Sequence, residues 1–146
     1  MYKVSGRRRK IHRLIKLYYL IILLIYLLDQ FSKFYILKVV QQGSSTPVIN
    51  NILHITLVQN TGAAFGMLKE HPSLFIVIAI IAVFLIVFFL LKKSHALNTP
   101  EKIALSFILG GTLGNLTDRV RFGYVIDFID LRVWPVFNIA DSFITI

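Results

Sequence analysis

Two stretches of this chain set a carboxylate among apolar neighbours: Val125-Ile126-Asp127-Phe128 and Phe137-Asn138-Ile139-Ala140-Asp141-Ser142. Only 13 residues separate Asp127 from Asp141, so the two acids sit on consecutive elements and near one depth. Two acids held close in a low-dielectric site cannot both ionise, so they share one proton. The charged one can take a proton from a water that attacks a carbonyl. The neutral one can donate a hydrogen bond to the developing oxyanion. That is the chemistry of an aspartic protease. A proton or cation relay also uses paired carboxylates in a membrane.

Three further polar stretches accompany them. In Asp29-Gln30-Phe31-Ser32-Lys33, Asp29 and Lys33 are four apart and share a helix face, as a structural ion pair or as a pair that sets the field of a site. Asn60-Thr61-Gly62-Ala63-Ala64-Phe65-Gly66 combines an amide that both donates and accepts with glycines that permit close approach. Gly114-Asn115-Leu116-Thr117-Asp118-Arg119 contains a formal glycosylation sequon, but its place at a buried helix end argues against that use. Gly110 and Gly114 form a GxxxG pair suited to helix packing. An ionisable residue within a membrane span costs about 2.5–3.5 kcal/mol, so such residues face the bundle interior and have a task.

Composition excludes much else. There is no cysteine, hence no disulfide, thiol nucleophile or cysteine-ligated metal. His12, His54, His71 and His95 are scattered, with no HExxH spacing. GxSxG, Walker A and dinucleotide fingerprints are missing too. Neither a metal nor a cofactor is expected. Hydrophobic residues are 56% of the 146 and charged residues 16%, with mean hydropathy +0.73. The net charge of +9 would point to nucleic acid in a soluble domain, but in a chain this apolar it describes orientation in a membrane, and no nucleic-acid partner is expected.

The elements that must position these residues follow from four apolar blocks in one integral membrane domain, 1–146. Helices are expected at about 14–38, 72–91, 103–119 and 137–146, after a basic N-terminus over 1–16. External segments fall at about 41–71 and 120–136, and a cytoplasmic loop at about 92–102. Pro72–Leu91 is the clearest, 20 residues that span about 30 Å, one hydrocarbon core. The last block reaches only about 15 Å as helix, so the fourth helix is expected to be truncated. Ten basic residues lie in the N-terminus and the 92–102 loop, against five within or flanking the external segments (Lys38, Lys69, Arg119, Arg121 and Arg132), which puts both termini in the cytoplasm. Gln41–Asn60 opens turn-rich and then alternates from Ile52 to Gln59, as a short strand at the outer membrane surface would. The fold class is therefore an all-α four-helix membrane bundle with a small extended element.

Taken in order, five motifs resemble bacterial lipoprotein signal peptidase (signal peptidase II): Asp29-Gln30-x-x-Lys33, Asn60-Thr61-Gly62-Ala63-Ala64-Phe65, Gly110-Gly111-x-x-Gly114-Asn115-x-x-Asp118-Arg119, Val125-x-Asp127-Phe128 and Phe137-Asn138-x-Ala140-Asp141-Ser142. The resemblance implies a monomeric, multi-pass endopeptidase of the bacterial inner membrane, with its active site near the outer leaflet. Such enzymes cut the signal peptide from diacylglyceryl-modified prolipoproteins, just before the lipidated cysteine, among membrane phospholipids. It implies a catalytic pair at Asp127 and Asp141. Supporting or substrate-binding roles fall on Asp29, Lys33, Asn60, Gly62, Asn115, Asp118, Arg119, Asn138 and Ala140. Asn60 and Asn138 would hydrogen-bond the substrate backbone, and Arg119 would meet a substrate carbonyl or lipid headgroup. Asp118 rivals Asp127 for the pair. Asp127 is preferred because its apolar neighbours desolvate it, whereas Asp118 has Arg119 and Asn115 as local partners. Asp130 reads as an interfacial residue. An ion-coupled transporter using the same acids and a structural membrane subunit are the alternatives. The chain has no internal symmetry of the kind transporters show.

Overall fold

A helix rich in Leu, Ile and Tyr opens the chain because nothing in its first part breaks it. The computed structural model describes residues 3–62 and 72–146. The expectations that touch Ala63, Ala64, Phe65, Gly66, Lys69 and His71 lie outside the described residues. Helix α1 runs over Lys3–Val39, so it begins well before the expected residue 14. Its 37 residues reach about 55 Å, more than one hydrocarbon core. Helix α2, Pro72–Lys92, leaves a broad apolar surface uncovered, with Val77, Ile78, Ile81, Phe84 and Leu85 exposed. Segments Lys16–Val39 and Ser73–Lys92 are long and apolar enough to cross a membrane.

One 3-10 turn, Ser94–Ala96, leads to α3, Thr99–Phe122. A capping box starts α3: Asn98 accepts from the Glu101 N–H, and Glu101 accepts from the Asn98 N–H. Gly123, at φ 80°, ends it in the left-handed conformation that glycine adopts freely. The short α4, Ile139–Thr145, starts at Asn138 with a second capping box, closed by Asp141. Helix α3 packs against α1, α2 and α4, whereas α1 and α2 make almost no contact with each other. At Gly111 an added Cβ would run into the Ala140 carbonyl of α4, and at Gly114 into the Asp29 carboxylate of α1. These two glycines let three helices meet.

The expected short strand is one of three. Strands β1 (Ser45–Ile49), β2 (Leu53–Asn60) and β3 (Val125–Asp130) form an antiparallel sheet in the order β1-β2-β3. Strand β3 escaped the alternation test because it is buried nearly throughout, so neither face needs polar residues. Ile36, Leu57, Ile126 and Phe128 form a core that fastens the sheet to the end of α1.

Candidate active site

Lys33 is the anchor of the polar interior. Its ammonium has three protons. They meet Asp29 Oδ2 at 2.8 Å, Asp118 Oδ2 at 2.8 Å and Asn115 Oδ1 at 2.9 Å. Asp29, Lys33, Asp118, Asp127 and Asn138 are each at most 2% exposed. The four-residue spacing of Asp29 and Lys33 thus forms a buried ion pair, extended by an acid from α3.

Asp29 also receives α4. Its Oδ1 accepts the Ala140 N–H at 2.9 Å, which fixes the start of the helix that carries Asp141. Gln30, quoted in a motif but not given a role from sequence, lies with Nε2 at 3.2 Å from Asp29 Oδ2, 3.2 Å from the Gly114 carbonyl and 3.0 Å from Asp118 Oδ1. The signal for it was there: an uncharged amide inside an apolar helix seeks partners across helices.

Asp127 and Asp141 are framed by asparagine amides. Asn138 Nδ2 donates to Asp127 Oδ1 at 2.7 Å and to Asn115 Oδ1 at 3.0 Å. Asn115 Nδ2 donates to Asp141 Oδ1 at 2.7 Å. Asn60 Nδ2 donates to Asp127 Oδ2 at 2.8 Å, and Asn60 Oδ1 accepts from the Gly62 N–H. The register explains the reach of Asn60: it pairs with Val125, so Asp127 is its diagonal neighbour on the same face. Asn138 arrives because Phe137 bridges to Ile129, laying the chain before α4 against β3. Burial pushes the Asp127 carboxyl up to about 7, and the nearby charge of Asp141 adds to the rise. The amides of Asn60 and Asn138 and the charge of Lys33 oppose it.

Two expectations need correction, the partner of Asp118 and the interfacial place of Asp130, and the structure adds partners for Asn60, Asn138 and Arg119. The ion pair of Asp118 is with Lys33, not Arg119, and it also accepts from the Ile126 N–H at 3.2 Å. Its partners come from α1 and β3 rather than from its own helix. Asn60 directs an amide N–H group at Asp127, and Asn138 directs amide N–H groups at Asp127 and Asn115. Arg119 lies over the Phe75 ring, 5.3 Å from its centroid, with Nη2 3.4 Å from the Gly62 carbonyl. Asp130 is buried: it bonds Thr56 at 2.8 Å and pairs with Arg132 at 3.1 Å. Burial alone would raise the Asp130 carboxyl, but Thr56 and Arg132 together hold it below its usual range. Sequence reading missed this second polar row, in which Thr56 also lies 2.8 Å from Ser45, and Ser45 lies 3.1 Å from His54 Nδ1.

Residues 21–146 match the family model of signal peptidase (SPase) II. A lipoprotein signal peptidase of Halothermothrix orenii is 43% identical over 129 residues, covering 88% of this chain and 87% of that protein. One of Clostridioides difficile is 44% identical over 133 residues, 89% of this chain and 88% of that one. A solved bacterial membrane enzyme superposes with a TM-score of 0.83 at 37% identity, covering 89% of this chain and 81% of its own. With that extent of match in sequence and in fold, the chain belongs to the signal peptidase II family.

Proposed function

We propose that this chain is an aspartic endopeptidase that removes the signal peptide from diacylglyceryl-modified prolipoproteins, cutting before the lipidated cysteine. Asp127 and Asp141 carry the reaction. Family membership supports the peptidase and its prolipoprotein substrates. The observation that carries the mechanism is the amide frame that joins the two carboxylates through Asn138 and Asn115.

The pair holds one proton between them. The ionised member takes a proton from water, and the hydroxyl oxygen adds to the scissile carbonyl. The protonated member donates a hydrogen bond, then its proton, to the carbonyl oxygen. Collapse of the tetrahedral intermediate returns a proton to the leaving amine. Lys33, Asp29 and Asp118 hold the frame from below, and Arg119 stands where a substrate carbonyl or lipid headgroup would approach. Helices α1 to α4 embed the chain in the inner membrane, with both termini cytoplasmic and the sheet at the outer leaflet. A diacylglyceryl anchor then holds the scissile bond at the depth of the acids. The protein acts as a monomer.

The test is cleavage of a diacylglyceryl-cysteine prolipoprotein by purified protein, beside Asp127→Asn, Asp141→Asn and Asp118→Asn. Loss in the first two with partial retention in the third is expected. Activity surviving in Asp127→Asn but lost in Asp118→Asn would move the pair to Asp118 and Asp141. Full activity in all three would end the aspartic mechanism.

A further inference from the structure

Because α1 and α2 both pack on α3 but hardly on each other, a slot opens between them at the end remote from Asp127. It encloses about 420 Å³ and is walled by Tyr18 and Ile22 of α1, Val87 and Leu90 of α2, and Lys102 and Leu109 of α3. The walls are apolar along most of their length. At the α3 N-terminal end they close on the half-buried Lys102, with Tyr18 and Tyr19 beside it. Among the described residues, Lys102 Nζ makes no ion pair. Lys92 and Lys93 lie at this end of α2, and Lys16 is three residues before Tyr19 on α1.

We propose that this slot is a binding site for one anionic phospholipid, with an acyl chain between α1 and α2 and the headgroup phosphate on Lys102. The proposal rests on the reading of the chain as membrane-embedded. Two magnitudes select this occupant. A membrane-spanning helix about 30 Å long and 10 Å across fills about 2,400 Å³, far more than the slot holds. A signal peptide would also bring its positively charged n-region to an end already lined by lysines, where like charges repel. A phosphate meets the opposite condition: a lysine near a membrane surface contributes about 1 kcal/mol toward an anionic headgroup, a factor of about five in affinity.

The experiment uses the full chain in a neutral detergent, stripped of lipid and titrated with phosphatidylglycerol, phosphatidylcholine or inorganic phosphate. Bound lipid is counted by native mass spectrometry. Phosphatidylglycerol is expected to bind one per chain and more tightly than phosphatidylcholine, with no competition from inorganic phosphate at equal concentration. Lys102→Ala should weaken phosphatidylglycerol about fivefold, Lys102→Arg should preserve it, and Lys93→Ala, outside the slot, should change it less. Val87→Phe, which narrows the slot without touching charge, should weaken both lipids. Equal binding of the two lipids by the wild type would overturn the proposal. So would equal effects of Lys102→Ala and Lys93→Ala, competition by free phosphate, or displacement of the lipid by a signal-peptide helix. Cleavage assayed in parallel separates the two readings: a chain that selects the lipid and cleaves nothing sinks only the peptidase, and one that cleaves without selecting sinks only this site.

Discussion

Replacing Lys33 with methionine removes the cation that lies 2.8 Å from both Asp29 and Asp118, and leaves two buried carboxylates without it. Methionine matches the length of the lysine stem, so packing changes little and the electrostatic effect stands alone. Removing one partner of a buried ion pair costs about 3–5 kcal/mol, because the remaining charge is uncompensated. In a chain of this size each kcal/mol moves the melting temperature by about 2–4 °C, so Lys33→Met should lower it by about 6–20 °C. Adding Asp29→Asn and Asp118→Asn neutralises what was left behind. The triple variant should therefore recover at least half of that loss, since a whole buried network replaced by neutral groups is often close to neutral in stability. Activity should not return with stability, because Asn115 has lost the ammonium that orients its amide toward Asp141. The assay is thermal unfolding in neutral detergent, followed by the fluorescence of the single tryptophan, with cleavage measured on the same samples. A shift below about 2 °C for Lys33→Met, or a triple variant no more stable than the single one, would refute the reasoning.

The raised Asp127 carboxyl gives a pH test. Its folded value of about 7 exceeds the ordinary 3.8, so its contribution to stability is full below pH 3.8 and is lost as pH rises through 7. The loss is about 4 kcal/mol at pH 8. Wild type should therefore melt lower at pH 8 than at pH 5, with a smaller difference in Asp127→Asn. Cleavage should also fall as pH rises past about 7, because the pair needs one proton, and a rate constant up to pH 9 would contradict the assignment. Gly111→Ala presses a methyl on the Ala140 carbonyl, which is backbone and cannot swing away. It should destabilise by about 1–3 kcal/mol and reduce kcat more than tenfold by shifting α4, readable from melting and single-turnover cleavage. Asn138→Ala removes both the α4 cap, worth about 1 kcal/mol, and the amide on Asp127. Its kcat should fall with little change in KM, whereas a substrate-contact role would raise KM.

The sequence exposed what depends on local rules. The apolar run of Pro72–Leu91 marks α2, and the four-residue step from Asp29 to Lys33 marks a shared face. What it hid depends on tertiary contacts. Strand β3 has no alternation because both faces are covered, so its pairing with β2, which delivers Asn60 to Asp127, could not be read locally. Asp118 seemed to be served by its sequence neighbours, yet its cation lies 85 residues back on α1, brought there by the close approach at Gly114. Asn138-x-x-Asp141 was legible as a chemical motif but not as a capping box. That second reading matters, because one residue pair both starts α4 and aims an acid.

The two roles open to an acid in this site separate by the kind of donor each one meets. Asp118 accepts from an ammonium, a backbone N–H and the Gln30 amide, so both of its oxygens are committed to structure. Asp29 is committed in the same way, to Lys33 and to the first turn of α4. Among the described residues, Asp127 accepts from two neutral amides, and Asp141 from the Asn115 amide and the Asn138 N–H. Neutral donors orient a carboxylate without cancelling its charge. The charge of Asp141 therefore adds to the burial that pushes the Asp127 carboxyl up. Lys33 sharpens the contrast: its three protons lie on Asp29, Asp118 and Asn115, so it reaches Asp127 through its charge and is linked to Asp141 through the Asn115 amide. Charge compensation thus falls to Asp29 and Asp118 within this hydrogen-bonded network, which leaves Asp127 and Asp141 for the catalytic role proposed above.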